Sequence, residues 1–128
     1  FLPKIVGIAN ALELTYSGRI IDATEALKLN LVSSVHDSES LLTDAVNITK
    51  KMIQNSAPVS ISLTRQMLWR SLESSGPYDA HVIESKAIDS RGASEDAKEG
   101  VSSFLEKRPA KFKNKVSSDM PKFFPWWE

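Results

Sequence analysis

The sequence predicts a mostly α-helical protein with at most one short strand. Apolar residues recur at helical spacing along most of the 128 residues, and glycine or proline separates successive periodic segments. A single short apolar run, Leu31 to Val35, is typical of extended chain. These observations together favour a set of short helices joined by tight turns, without internal repeats.

The first helical segment has an apolar face. Residues at helical spacing form it: Ile5, Ala9, Leu12 and Tyr16. Gly7 has a low helix propensity and is expected to weaken this helix or to split it in two. Gly18 is well placed to end it, because glycine readily adopts the left-handed conformation that follows many helices.

A short helix is then expected from Ala23 to Leu29. Either Asp22 or Thr24 can cap its start, and Glu25 lies in the first turn, where the helix dipole favours an acid. Asn30 follows, and asparagine is the usual substitute for glycine where a left-handed cap is needed.

Two longer helices follow, separated by a break at residues 55–58. The segment from Ser40 to Asn55 has two adjacent stripes that predict one buried face, Leu41/Ala45/Ile48/Met52 and Leu42/Val46/Thr49/Ile53. The segment from Val59 to Leu72 is apolar on two nearly opposite sides, with Val59, Leu63 and Met67 on one and Ile61, Leu68 and Leu72 on the other. Such a helix is expected to pack on its own domain and on something else.

The last two helices are marked by their starts. Pro77 suits the first position of a helix that runs to about Ser90. Ser94 is expected to cap a further helix, with Glu95 and Asp96 in the first turn. Its expected apolar face consists of Ala97, Val101, Phe104 and Leu105.

The tail from Pro109 ends in an aromatic cluster, Phe123-Phe124-Pro125-Trp126-Trp127. Leaving these rings in water would be costly, at about 25 cal/mol per Å² of apolar surface. They are expected to dock, in a subunit contact or on a partner domain rather than in a ligand pocket.

Composition and charge exclude several kinds of site. The chain has 16 basic and 16 acidic residues, no cysteine, and two histidines far apart, His36 and His81. Disulfides and thiolate metal sites are therefore excluded, and no metal site is expected. Five basic residues and no acid lie from Lys107 to Lys115, which suits a small anionic ligand, a neighbouring surface or a solvated tail.

Targeting signals are not expected in this chain. No stretch is long and apolar enough to span a bilayer, and residues 1–4 do not resemble a signal peptide. A cytoplasmic location is the simplest expectation, and an organelle is the alternative, since a transit peptide would precede these residues. The chain begins without Met and already in a helical pattern, as a fragment or a processed product would.

Two sequence blocks resemble the enoyl-CoA hydratase/isomerase (crotonase) family. Residues 14–32, LTYSGRIIDATEALKLNLV, are similar to the family block TGR-x-I-x-A-x-EA-x-x-x-GLV, with Asn30 in place of glycine. Residues 94–109, SEDAKEGVSSFLEKRP, resemble the family ending SxDxxEGxxAFxEKRxPxF, continued here by Phe112. The break at residues 55–58 lies between them, as in the family, and the resemblance covers nearly the whole chain.

The resemblance implies a fold class and a domain organisation. The chain would be the C-terminal helical (trimerisation and lid) region of the crotonase ClpP-like fold. Residues 1–35 would be the end of the crotonase core, residues 36–108 a C-terminal helical domain, and residues 109–128 a basic and aromatic tail. The helix from Val59 to Leu72 would then suit a lid. The sequence leaves open which of Met67, Leu68 and Trp69 would face an acyl chain, and core packing is favoured for each.

The activity implied for the whole protein is hydration of, or double-bond isomerisation in, an acyl-CoA thioester, without a further cofactor. In the family, the oxyanion hole and the acidic residues that transfer protons lie upstream of the position of Phe1. Glu13 and Glu25 match none of those positions, so no catalytic residue is assigned here and the fragment alone is expected to be inactive.

The family's last helix contacts the adenine and a phosphate of coenzyme A through a Phe-x-x-Lys pattern, which matches Phe104 and Lys107. Core packing is the alternative for Phe104, and a solvated side chain is the alternative for Lys107. The implied partners are the acyl-CoA substrate and further copies of the chain in a trimer-type homo-oligomer, with no nucleic acid and no membrane.

Two other interpretations remain open. The chain could be a stand-alone helical interaction module without enzymatic activity, using the two-sided helix and the aromatic tail. It could also bind RNA through the basic tract, although zero net charge and the absence of a nucleic-acid motif disfavour this.

Overall fold

A computed structural model of the protein describes residues 1–74 and 76–128. Within these residues all regular structure is helical, which confirms the prediction of a mostly α fold with at most one strand. The helices are α1 Leu2–Val6, α2 Ile8–Ser17, α3 Ala23–Lys28, α4 Leu41–Ile53, α5 Pro58–Ser71, α6 Pro77–Gly92 and α7 Glu95–Leu105. In these same ranges, no helix is both long and apolar enough to cross a membrane.

The described chain forms two compact units, Phe1–Ile48 and Thr49–Glu128. The division falls inside α4, so this helix contributes to both. The predicted division into a core end (residues 1–35), a helical domain (residues 36–108) and a tail (residues 109–128) follows from the family resemblance and stays a prediction.

In the first unit, glycines end or interrupt the helices as the sequence predicts. Gly7 has φ 81° and separates α1 from α2. Gly18 has φ 60°, in the left-handed region, and its N–H donates to the carbonyl of Leu14 at the end of α2.

Helix α3 ends in a Schellman motif with asparagine at the left-handed position. Asn30 has φ 58° and donates its N–H to the carbonyl of Leu27, and the N–H of Leu31 donates to Ala26. At the start of α3, Asp22 accepts from the N–H of Glu25 at 2.7 Å, so Asp22 is the cap.

The expected extended segment from Leu31 to Val35 is wrong. The amides of Leu31 and Val32 both donate to the carbonyl of Ala26, at 2.9 and 3.4 Å. These bonds bend the chain back over the end of α3, so Leu31 to Val35 forms no strand.

Arg19 joins α2 to α3 on the surface of the first unit. Its guanidinium donates to both carboxylate oxygens of Glu13, at 2.8 and 3.1 Å, and to both of Glu25. Hydrogen bonds from Arg19 lower the pKa of both carboxyls. Glu13 and Glu25 are therefore structural partners of Arg19, and the expectation that neither is catalytic stays a prediction.

The face of α4 that was predicted to be buried is not covered by the residues that the structure describes. The helix forms as expected, but it has no buried residue. Leu42 is 78% exposed and Met52 is 74% exposed. Periodicity predicts which side of a helix is apolar, and the described residues do not supply enough surface to cover that side.

The core of the second unit consists of Val59, Leu63 and Ala87. Five partly buried side chains pack around it: Met67, Met120, Phe123, Phe124 and Trp126. The aromatic tail therefore docks on α5 and α6 of its own unit. The rings remain partly exposed, and the expected subunit or partner-domain contact stays a prediction. Contacts within one chain bury part of their surface without the entropy cost of association.

Helix α5 confirms one half of the two-sided prediction. Val59 and Leu63 are 0% and 1% exposed, whereas Leu68, on the other side, is 65% exposed. One side of α5 therefore packs in the core, and the side that carries Leu68 remains exposed.

Candidate functional site

The candidate coenzyme A residues lie at the end of α7, whose orientation differs from the prediction. Asp96 and Ser103 are buried, at 4% and 5% exposure, while Val101 and Phe104 of the expected apolar face are exposed. Gly100 lies between the two buried residues, and a β-carbon there would meet the ring of Phe112 at 3.9 Å. The small and polar side of α7 faces the tail, because it supplies hydrogen bonds to the tail backbone.

Asp96 anchors the basic tract. Its Oδ1 accepts the backbone N–H groups of Lys113 and Asn114, at 2.7 and 3.1 Å. The other oxygen, Oδ2, is buried and has no hydrogen-bond partner among the described residues. These two hydrogen bonds hold the tail against α7.

Glu99 makes a second anchor. It receives a bidentate pair from Arg108, at 2.6 and 3.0 Å, and the backbone N–H of Lys111 at 2.6 Å. The hydrogen bonds from Arg108, followed by that of Lys111, lower the pKa of Glu99 to about 2. Arg108 is thus neutralised within the chain, and Glu106 also binds it.

Helix α7 ends in the same motif as α3. Lys107 has φ 54° and its N–H donates to the carbonyl of Phe104 at 3.2 Å, and the N–H of Arg108 donates to Ser103 at 3.0 Å. This is a Schellman motif with lysine where glycine is usual. The motif defines the backbone at Lys107 immediately beyond the last turn.

The side chains of Phe104 and Lys107 are both accessible. Phe104 is 82% exposed, so it does not pack in the core that the described residues form. Lys107 is exposed, and the described residues place no carboxylate in an ion pair with it. An exposed ring and an exposed cation one turn apart can stack on a base and contact a phosphate. Their assignment to coenzyme A itself stays a prediction.

The other lysines of the tract are also exposed. Lys111 and Lys113 use their backbone amides to bind Glu99 and Asp96, while their side chains face solvent. The N–H of Lys115 is bound by Asp119 at 2.6 Å. The backbone of the tract is therefore held by acidic side chains rather than free, and its lysine side chains are exposed.

A cavity of about 780 Å³ lies between α5, α6 and the aromatic tail. Met67 and Leu68 of α5, Ile83 of α6 and Trp126 of the tail contribute apolar surface to it. Of the three α5 residues that the sequence leaves open as acyl contacts, Met67 and Leu68 line this cavity and Trp69 does not.

Ser34, His36 and Asp44 form a chain of hydrogen bonds in the first unit. Ser34 Oγ is 2.8 Å from His36 Nε2, and His36 Nδ1 is 3.0 Å from Asp44 Oδ2. The residue types are those of a nucleophile, a base and an orienting acid. None of the three lines the cavity between α5, α6 and the tail, and the contacts tie the loop before α4 to the first turn of that helix. Within residues 1–74 and 76–128, no group of three or more histidine or acidic side chains is placed to hold a metal.

Sequence reasoning missed the anchors and the cavity. Asp96 was interpreted only as an acid that suits the helix dipole, although it also binds backbone 17 residues away. Bonds from a carboxylate to distant amides leave no periodic pattern in a sequence. Arg19 lies in the block of residues 14–32 that resembles the family. Glu13 and Glu25, each six residues from it, were the sequence signal that could have predicted its ion pairs.

Comparison with known proteins identifies the family. A family model described as enoyl-CoA hydratase/isomerase matches residues 1–115. The chain is 36% identical over 115 residues to the enoyl-CoA hydratase ACTT3 of Alternaria alternata, covering 89% of this chain and 38% of that protein. It is 38% identical over 114 residues to a probable enoyl-CoA hydratase of Bacillus subtilis, covering 88% and 43%. The chain therefore belongs to the enoyl-CoA hydratase/isomerase family.

Solved structures show the same fold. The chain superposes on an enoyl-CoA hydratase from Bacillus anthracis with a TM-score of 0.81 at 29% identity, over 89% of this chain and 43% of that one. For a probable enoyl-CoA hydratase/isomerase from Mycobacterium abscessus, the TM-score is 0.79 at 27% identity, over 89% and 44%. The chain thus spans about two fifths of the length of these relatives.

The crotonase fold is shown, but the finer assignment to a C-terminal trimerisation and lid region is not. The family model aligns with the N-terminal 115 residues of the chain and leaves out the aromatic tail. The rings that complete the core of the second unit lie outside the matched region.

Proposed function

We propose that this chain supplies coenzyme A contacts to a protein that acts on acyl-CoA thioesters, with Phe104 and Lys107 as the contacts. Its relatives are named enoyl-CoA hydratases, and the proposed reaction is addition of water to, or double-bond isomerisation in, such a thioester. The proposed substrate is the thioester itself, with no further cofactor.

One observation carries this proposal: the exposed ring of Phe104 and the exposed cation of Lys107 belong to a single Schellman motif. Phe104 is 82% exposed, although exposure of so large a ring is unfavourable without a partner. Lys107 holds a left-handed backbone that is costly for a residue with a β-carbon. Both costs are understandable if a ligand uses the two side chains.

Affinity for coenzyme A tests the proposal. In the whole protein, Lys107→Ala should weaken binding about 10-fold to 150-fold, the value of a charge-assisted hydrogen bond. The turnover rate at saturation should change little, because a phosphate contact far from the thioester binds substrate and transition state alike. Lys113→Ala is the matched control, since Lys113 is exposed in the same tract. Equal losses from the two variants would reduce the site to diffuse charge, and no loss from Lys107→Ala would remove it.

The catalytic groups of the proposed reaction lie outside this chain. Within the first unit, Glu13 and Glu25 are both bound to Arg19. The isolated 128 residues should therefore not hydrate a trans-2-enoyl-CoA thioester. Measurable hydration by the isolated chain, absent in a Glu13→Gln or Glu25→Gln variant, would contradict this.

The proposal includes association with further copies, of trimer type in the whole protein. The uncovered apolar face of α4 supports an association surface, with Leu42 and Met52 both more than 70% exposed. The same face also supports the alternative function, a helical interaction module without activity. Both proposals predict association, so a sedimentation experiment that shows only monomer would contradict both. Affinity for coenzyme A distinguishes the enzyme from the interaction module, because only the enzyme is expected to bind it.

A further inference from the structure

The hydrogen bonds of Asp44 determine which nitrogen of the His36 ring carries a proton. Asp44 Oδ2 is 3.0 Å from His36 Nδ1 and also accepts the hydroxyl of Ser40 at 2.8 Å. The hydrogen bond from Ser40, followed by that from His36, lowers the pKa of Asp44, so this carboxylate is ionised at neutral pH. An ionised carboxylate can only accept hydrogen bonds, so Nδ1 of the neutral ring is the donor.

The basic nitrogen of His36 is therefore Nε2, which lies against Ser34. A neutral imidazole with its proton on Nδ1 has a lone pair and no hydrogen on Nε2. The 2.8 Å between Ser34 Oγ and His36 Nε2 is thus a hydrogen bond in which the hydroxyl donates. In this arrangement a histidine can remove the serine proton while the serine oxygen attacks a carbonyl carbon.

The serine is accessible, whereas the histidine is held in place. Ser34 is exposed, and the side chain of His36 is 22% exposed between its two partners. Asp44 lies in the first turn of α4, so regular structure fixes the carboxylate that orients the ring. All three residues belong to the compact unit Phe1–Ile48. The arrangement is therefore formed by this unit alone, and a solvent-borne reagent can reach the hydroxyl.

We propose that Ser34 is an acyl acceptor, with His36 as its general base and Asp44 as the residue that positions the base. The acyl donor is a small activated ester or thioester. The Ser34 oxygen bonds to the carbonyl carbon, the bond from this carbon to the leaving oxygen or sulfur breaks, and the serine proton passes through Nε2 to the leaving group. The product is an O-acyl serine. This proposal does not depend on the coenzyme A assignment.

Acetylation by p-nitrophenyl acetate, located by tandem mass spectrometry of peptides, tests the proposal. Ser34 should be acetylated at least about 100-fold faster than Ser33, since general-base catalysis contributes about 10²-fold to 10⁴-fold. Ser33 is the internal control, because it is exposed and adjacent in the chain while His36 is hydrogen-bonded to Ser34. Equal acetylation of the two serines, or no acetylation of Ser34, would overturn the proposal.

Variants test the role of each partner. His36→Gln should reduce the acetylation rate of Ser34 to that of Ser33. Asp44→Asn should do nearly the same, because an amide can donate to Nδ1 and the ring proton then moves to Nε2. Acetylation of Lys51, which is exposed on α4, should change in neither variant. This separates a loss of serine activation from a general change in reactivity.

A control variant removes the other hydroxyl that Asp44 binds. Ser40→Ala should leave most of the acetylation of Ser34, because Asp44 can still orient the ring. If a variant does not fold, as judged by circular dichroism, the ratio of Ser34 to Ser33 acetylation in the unmodified protein still decides the question. Undiminished acetylation of Ser34 in folded His36→Gln would contradict the role of the histidine. The measurement does not involve coenzyme A, so the two proposals can fail separately.

Discussion

The main-chain N–H of Lys107 donates to the carbonyl oxygen of Phe104 across 3.2 Å, so the two residues proposed to contact coenzyme A belong to one helix-ending motif. The same pairing occurs at the end of α3 between Asn30 and Leu27. Asparagine tolerates the left-handed conformation better than most residues, whereas lysine has no such advantage. At Lys107 the chain thus keeps a costly residue in a structural position, as functional sites often do.

Replacing Lys107 by glycine should stabilise the fold while removing the side chain that is proposed to bind coenzyme A. Lys107→Gly should raise the free energy of unfolding by about 0.5–1 kcal/mol, because glycine adopts the left-handed conformation without a β-carbon clash. Lys107→Ala keeps the clash and should not be stabilising. Denaturant unfolding measures both variants. A destabilised Lys107→Gly protein would show that the lysine side chain supports the fold.

The anchor at Asp96 should be important for stability. Asp96→Ala leaves the amides of Lys113 and Asn114 without their acceptor and should cost about 1–3 kcal/mol. Asp89→Ala, at an exposed position on α6, is the control and should change stability by less than about 0.5 kcal/mol. Urea unfolding followed by circular dichroism compares them. Equal effects would mean that the tail bonds contribute nothing measurable.

Glu99 should make the fold sensitive to acid. Its pKa is lowered from 4.5 to about 2 by Arg108 and the amide of Lys111, so the folded state favours the ionised form. The stabilisation is therefore fully present above about pH 4.5 and is lost as the pH falls towards 2.

Thermal unfolding across this interval measures the effect. Glu99→Gln should lower the melting temperature at neutral pH and should flatten its decline on acidification. Glu39→Gln, at an exposed acid outside the tail contacts, should follow the unmodified protein. Parallel pH curves for Glu99→Gln and the unmodified protein would contradict the assignment of this acid sensitivity to Glu99.

The two sides of α5 should respond differently to truncation. Leu63→Ala removes a side chain that is 1% exposed and should cost about 2–5 kcal/mol. Leu68→Ala, at 65% exposure, should cost less than about 1 kcal/mol in the isolated chain. If Leu68→Ala is as costly as Leu63→Ala, the exposed side of α5 is covered in solution by another copy of the chain.

Helix ends were predictable because their chemistry is local. Gly18 and Asn30 adopt left-handed backbone, and Asp22 and Ser94 accept the amides expected of helix caps. Each of these contacts joins residues within a few positions, so a short window of sequence contains both partners.

Burial was less predictable than helix formation. The apolar stripe of α4 is exposed, and α7 buries Asp96 and Ser103 instead of Val101 and Phe104. Periodicity indicates which side of a helix is apolar, but burial depends on what the rest of the molecule brings to that side. The site residues Phe104 and Lys107 came from a family resemblance, and periodicity alone would have placed Phe104 in the core.

The sequence by itself determined the helices, their caps, the family and the two residues proposed to contact coenzyme A. Only the tertiary structure decided that the aromatic tail completes the core of its own unit, and that Asp96 and Glu99 hold the basic tract. It also placed Arg70 and Trp126 at one cavity and stacked Arg70 on the ring of Trp127. These arrangements join residues far apart in the chain, so their energies depend on distances and desolvation that exist only once the chain has folded.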